Sequence, residues 1–104
     1  MALNECEIKC SENKQQSIMA LSLFNTFFNI KQNSNIDDIY VNFSSDKLEV
    51  YVFLNKESYE DENFISEQFT NFEKDVLYFP ELFIYSNDEV EKMNVLPRKV
   101  LRIC

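Results

Sequence analysis

Residues 39–54 read IYVNFSSDKLEVYVFL. Ile39, Val41 and Phe43 alternate with Tyr40 and Asn42, and beyond the polar SSDK, Leu48, Val50, Val52 and Leu54 alternate with Glu49, Tyr51 and Phe53. A period of two puts one set of side chains on each face of a strand, and two such runs around a short polar segment read as a β-hairpin. Asp46 is a tolerable left-handed turn residue where glycine would be usual. The second run is apolar on one face and partly aromatic on the other, which sets it in the interior of a sheet.

On the N-terminal side, residues 12–31 carry the period of a helix, with Ser11 as its N-cap. Ile18, Leu21, Phe24 and Phe28 share one face, and Met19, Leu23, Phe27 and Ile30 widen it into an arc broader than a surface helix needs. Such an arc is buried deeply against a sheet, or part of it is a dimer or partner surface. Before the helix, residues 5–10 (ECEIKC) alternate strictly and read as a half-buried strand. The alternative is an early helical turn with Cys6 and Cys10 on one face.

On the C-terminal side, residues 58–74 form a second helix, opened by Ser58 and Asp61 at capping-box spacing. Ile65, Phe69, Phe72 and Val76 give it a narrow apolar stripe. Pro80 cannot donate to a ladder, so the next strand starts after it, at residues 82–86. Ser86 and Glu89 repeat the capping-box spacing and predict a short helical turn. Residues 99–103 predict an edge strand. The order is that of the split βαβ pattern. The expectation is an α+β two-layer sandwich, βαββαβ (ferredoxin-like), with an antiparallel sheet, two helices on one face and an extra C-terminal strand. Its competitor is another α+β arrangement without the first strand.

At 104 residues the chain is one domain, 1–104, with room for a single core. Ten Phe and five Tyr predict aromatic packing within it and exclude a disordered tail. No apolar run approaches the roughly 18 residues that span a bilayer, and the N-terminus lacks a basic leader, so a cytoplasmic protein is expected. Three cysteines, Cys6, Cys10 and Cys104, are then free thiols. With no His and no paired Cys spacing, no zinc site is expected. The chain has no glycine. That removes the phosphate-cradling loop, the dinucleotide fingerprint, the nucleophile elbow and the EF-hand turn, all of which need glycine's backbone freedom. No cofactor is expected.

The charge is uneven. Residues 57–91 hold eleven acids and one base, Lys74, against seven acids and nine bases elsewhere, for a net charge of −8. Acids at a helix start offset its dipole, which accounts for Glu60, Asp61 and Glu62 in part. It does not account for a segment with almost no interspersed Lys, since soluble surfaces mix both signs. The segment also carries aromatics that read as exposed: Tyr59, Phe64, Tyr78 and Phe83. Carboxylates accept bidentate bonds from Arg while a ring supplies desolvated area.

The candidate partner-binding residues are therefore Glu57, Tyr59, Glu60, Asp61, Glu62, Phe64, Asp88, Glu89 and Glu91. Such a surface repels phosphates, so no direct nucleic acid contact is expected, except through Arg98, Lys99 and Arg102, bases that more often flank an edge strand. No catalytic residue is expected: the carboxylates sit on exposed helix starts without apolar enclosure, and Cys104 has no His. A run such as Glu60–Asp61–Glu62 lacks the turn that would wrap ligands round a metal ion.

The function expected is a small acidic protein that neutralises a basic partner. Its most concrete form is an immunity protein or antitoxin whose carboxylates stand where a nuclease toxin's substrate phosphates would lie. The alternative is a dimeric secretion or assembly chaperone that holds its client in apolar grooves. No membrane partner is expected, and the protein is a monomer or a homodimer.

Overall fold

The computed structural model describes residues 10–43 and 47–103. The chain runs through α1 (Cys10–Lys31), β1 (Ile36–Phe43), β2 (Leu48–Leu54), α2 (Tyr59–Val76), β3 (Glu81–Ser86), α3 (Lys92–Val95) and β4 (Leu101–Arg102). The strands form one mixed sheet in the order β3-β2-β1-β4. The fold is α+β. Of the strand expected over residues 5–10, residues 5–9, with Cys6, lie outside the described residues, as do the hairpin turn at 44–46 and Cys104, while Cys10 is helical and not part of a strand. Cys10 begins α1, so Ser11 lies within that helix and does not cap it.

The hairpin pairs as the alternation predicts, with Phe43 opposite Leu48, Val41 opposite Val50 and Ile39 opposite Val52. β2 is interior. The sheet is not the antiparallel, ferredoxin-like one expected. In that order the first strand would separate the two strands that α2 connects. Here they pair directly and in parallel, from Glu49 opposite Glu81 to Leu54 opposite Ser86. α2 is the crossover that parallel neighbours require.

Both long helices cover one sheet face. Phe27 and Ile30 of α1 and Ile65, Phe69 and Phe72 of α2 join Ile39, Val41, Val50 and Val52 in one buried core. Phe27 and Phe69 meet edge to face, with ring centroids 6.3 Å apart. Leu82 and Ile84 of β3 pack against this core.

The opposite face is aromatic. Tyr51 stacks on Phe83 with centroids 4.9 Å apart, Phe53 stacks on Tyr85, and Tyr40 meets Phe53 edge-on. Burial, followed by the Tyr51 hydrogen bond to Glu49, pushes the Tyr51 phenol up to about 12. β3 and β4 lie on opposite edges, so residues 87–100 must cross the sheet. Lys92, within this crossover, lies 5.6 Å from the Phe53 ring centroid.

A β-bulge makes the fastening for that crossover. Ile36 pairs with Leu54 and Asp38 with Phe53, so Asp37 is an extra residue in β1. Without it, Ile36 and Asp38 would share a face. With it, Ile36 enters the core while Asp38 joins Phe53 on the aromatic side. The buried Asp38 carboxylate accepts from Lys92 Nζ and from Arg102 Nε and Nη2, the latter two at 2.7 and 2.6 Å. Asp37 accepts from Lys92 Nζ at 2.5 Å and from Asn87 Nδ2 at 2.8 Å. Burial pulls the Lys92 ammonium down, but the two aspartates outweigh it and hold the group above its ordinary value. Arg102 lies beside Tyr40 in the β1–β4 pair, and the Ile103 amide donates to the Ile39 carbonyl at 2.7 Å.

α2 starts as expected: Ser58 Oγ accepts from the Asp61 amide at 3.3 Å. It ends without glycine. Leu77 takes the left-handed conformation, φ 56°, and its amide donates to the Glu73 carbonyl at 2.8 Å. A non-glycine residue there costs about 1 kcal/mol. Ser86 Oγ donates to Glu89 at 2.6 Å, but in a turn; the helical turn comes later, at Lys92–Val95. The C-terminal edge strand is confined to Leu101–Arg102.

Two stability predictions follow from these contacts. Leu77 is exposed, so Leu77→Gly loses no packing and relieves the backbone; it should raise unfolding free energy by about 0.5–1 kcal/mol, after the gain in unfolded-state entropy. Leu77→Ala keeps the Cβ and should not do so; equal urea midpoints for the two variants would show that the backbone is unstrained. Asp38→Ala leaves Lys92 and Arg102 without their shared acceptor and should cost about 2–3 kcal/mol, less than a fully buried pair because Arg102 is solvated. Hydrogen exchange should then speed up first at the Ile103 amide.

Candidate functional site

β2 and β3 run in parallel and finish together, at Leu54 and Ser86. β1 runs antiparallel to β2, so it starts at that same end of the sheet. Three connections meet there: residues 32–35 leading into β1, residues 55–58 leading into α2, and the turn after β3. Asn55 donates its amide to the Asn35 carbonyl at 2.8 Å, and Asn87 donates to the Leu54 carbonyl at 2.8 Å.

Among these segments lies an open depression of about 180 Å³, its mouth included, floored by Leu54, Ile84 and Ser86. Glu57, Glu62 and Glu89 line it, with Tyr85 beside them. They come from three elements: the loop before α2, the first turn of α2 and the turn after β3. Glu89 is held by the Ser86 hydroxyl. Among the described residues no Lys or Arg forms an ion pair with any of the three; the recorded pairs join Lys47 to Glu81, and Lys92 and Arg102 to Asp37 and Asp38. No group of three or more His, Cys, Asp or Glu among the described residues is gathered closely enough to hold a metal ion.

The remaining expected site residues divide. Tyr59 is exposed at the start of α2 and Glu60 beside it is exposed, as are Asp88 and Glu91. Phe64 is not a surface ring: it packs against the core. Two further aromatics that read as exposed are also engaged. The Tyr78 hydroxyl accepts from the Leu48 amide at 2.8 Å, and Phe83 is stacked on Tyr51.

Asp61 belongs to the scaffold. Its carboxylate accepts from Asn33 Nδ2 at 2.6 Å and from Asn35 Nδ2 at 2.8 Å. Asn35 also exchanges hydrogen bonds with the backbone of Lys56, donating to its carbonyl and accepting from its amide. The Asn33–Asn35 segment thus clamps the entry of β1 to the start of α2. Asn33, Asn35 and Ser58, in that order, hold the Asp61 carboxyl below its ordinary value. Sequence reading could not find this clamp, because its donors lie 26 and 28 residues from the carboxylate.

The exposed apolar residues form a second feature. Ile18, Leu21, Phe24 and Phe28 of α1 are each more than half exposed, whereas Met19, Leu23, Phe27 and Ile30 face the core. The broad arc expected of this helix is in fact two faces, nearly opposite at 100° per residue. No helix among the described residues is long and apolar enough to cross a membrane. Comparison with protein-family models, with curated proteins and with solved structures returns no match.

The acidic end has a pH signature. Asp61 and Asp37 both titrate below the ordinary carboxylate range, the latter through its bonds from Lys92 and Asn87. A carboxylate depressed on folding contributes stability above its unfolded pKa and loses it as pH falls through the folded one. Urea midpoints should therefore stay flat down to about pH 5 and drop below about pH 4. In Asn33→Ala the Asp61 carboxyl resonance should titrate closer to its ordinary value; an unchanged titration would show that the clamp does not hold the anion.

Proposed function

We propose that this is a small acidic binding domain that neutralises a basic protein partner in the cytoplasm. In its most concrete form it is an immunity protein or antitoxin that covers the cationic cleft of a nuclease-type toxin. One observation carries the reading: Glu57, Glu62 and Glu89, from three separate elements, line a single depression with no cation of the chain paired to them among the described residues. The depression is far smaller than the roughly 300–1,000 Å³ of small-molecule pockets, so it presents its carboxylates without enclosing a ligand. The α2 N-terminus carries about half a positive charge, so the acids around it exceed what its dipole offsets. Carboxylates held open in this way repel phosphate and attract the groups that bind phosphate. Tyr59, exposed next to Glu60, supplies an aromatic anchor of the kind that dominates binding hot spots.

A second reading, a dimeric secretion or assembly chaperone, is favoured by the exposed apolar face of α1. Salt separates the two. Capture through carboxylates is an on-rate effect that fades with ionic strength, whereas apolar grooves respond little.

The test is capture from native cells, with bound proteins identified by mass spectrometry and assayed for nuclease activity. A basic partner should be retained at about 0.05 M salt, released at about 0.5 M, and inhibited while bound. Glu57→Lys/Glu62→Lys should lose it by several kcal/mol while folding normally, because the Asp61 clamp and the Ser86–Glu89 hydrogen bond are untouched. Retention of the same partner by the reversed variant would reject the acidic end as its binding surface.

A further inference from the structure

From Gln15 to Ile30 the chain has sixteen successive residues without a charge, in a protein where 27% of residues are charged. This stretch lies in α1, and its outer side is open to solvent. Ile18 is 55%, Leu21 64%, Phe24 64% and Phe28 67% exposed. A surface helix ordinarily turns charged residues outward. Here the outward side shows Leu and Phe at 21, 24 and 28, the three-then-four spacing of a helix-pairing seam. Ser22, Asn25, Asn29 and Gln32 flank it with neutral polar groups. Absence of charge and enrichment in aromatics are what mark the core of an interface.

We propose that this face is covered by a second copy of the same helix, giving a two-fold homodimer. Charge and area select that occupant. The chain carries −8, so two copies repel unless they meet where acids are absent. α1 holds one acid, Glu12, and two bases, Lys14 and Lys31, while residues 57–91 hold eleven acids. A basic partner is drawn to those acids and gains nothing from an uncharged helix. A stripe without charge is complementary to itself, as a two-fold contact requires. Antiparallel pairing about a point between Phe24 and Asn25 sets Leu21 against Phe28 of the other copy. The four apolar side chains leave roughly 450 Å² open, at the scale of functional patches.

The inference stands apart from the acidic end, and its test leaves that end unaltered. Sedimentation equilibrium of the full chain at micromolar concentration should give twice 12.4 kDa. Dissociation should decrease, not increase, on going from about 0.01 M to about 0.15 M salt as repulsion is screened. The thermal midpoint should rise with protein concentration. Leu21→Glu/Phe28→Glu should give a monomer with unchanged circular dichroism. A wild-type monomer throughout this range overturns the proposal, as does a dimer that survives the double substitution or a mass above the dimer. The wild-type measurements decide the matter even if the variant does not fold.

Discussion

Two parallel strands joined through a helix must start at one end of a sheet and finish at the other. The direct pairing of β2 with β3 imposes that constraint, and the acidic end follows from it. Because Leu54 and Ser86 finish side by side, the loop bearing Glu57, the first turn of α2 bearing Glu62 and the turn bearing Glu89 converge over the same two strand ends. Had another strand separated β2 from β3, as in the ferredoxin-like order, Glu89 would stand a strand's width further from the other two. The acids are a property of composition; their convergence is a property of topology.

The same connection creates a difficulty that the chain solves with charge. β3 ends on one edge of the sheet and β4 lies on the other, so the last part of the chain must be held across an aromatic face by little regular structure. β4 contributes two residues. Asp38 supplies the missing attachment by binding a cation from the middle of the crossover, Lys92, and one from its end, Arg102. The bulge at Asp37 turns Asp38 to that face without taking Ile36 from the core. A buried carboxylate with two cationic donors contributes little net stability against an apolar substitute, but leaving either side unpaired is costly. The arrangement therefore specifies where the crossover lies more than it strengthens the fold. It also engages Lys92 and Arg102 with Asp37 and Asp38, so neither cation is paired with Glu57, Glu62 or Glu89.

What could be read from the sequence was local. The β2 alternation, the Ser58 cap and the stripe of Ile65, Phe69 and Phe72 are set by neighbours within a few residues, and each appears in the structure. β1 was legible from Ile39 onward, but the bulge breaks the period of two and hides Ile36–Asp38. The two faces of α1 were present in the spacing: at 100° per residue, 18, 21, 24 and 28 cluster opposite 19, 23, 27 and 30. Counting all of them as one arc merged a core face with an open one. The candidate site was legible as an acidic segment and no further. Whether Phe64 and Tyr78 stand on the surface depends on which way α2 lies on the sheet. That Asp61 serves Asn33 and Asn35 depends on a loop that precedes the hairpin. Strand order, which brings Glu89 to Glu57 and Glu62, has no local signal.

Magnitudes show why an uncharged face and a charged end can coexist on one small molecule. Two bodies of −8 with centres about 30 Å apart repel by roughly 9 kcal/mol in water without salt. At 0.01 M ionic strength, where the Debye length is about 30 Å, roughly 3 kcal/mol remain; at 0.15 M, where it is about 8 Å, only a few tenths do. Roughly 450 Å² of apolar surface buried on each copy is worth on the order of 20 kcal/mol before the losses of freedom and ordering that association entails, so the apolar term outweighs screened repulsion at cellular salt. The attraction of the acidic end for a basic partner has the opposite dependence and fades under the conditions that favour pairing of α1. An increase in salt therefore moves the two contacts in opposite directions. That opposition is the physical sense in which Glu57, Glu62 and Glu89 on one side, and Leu21, Phe24 and Phe28 on the other, are separate surfaces.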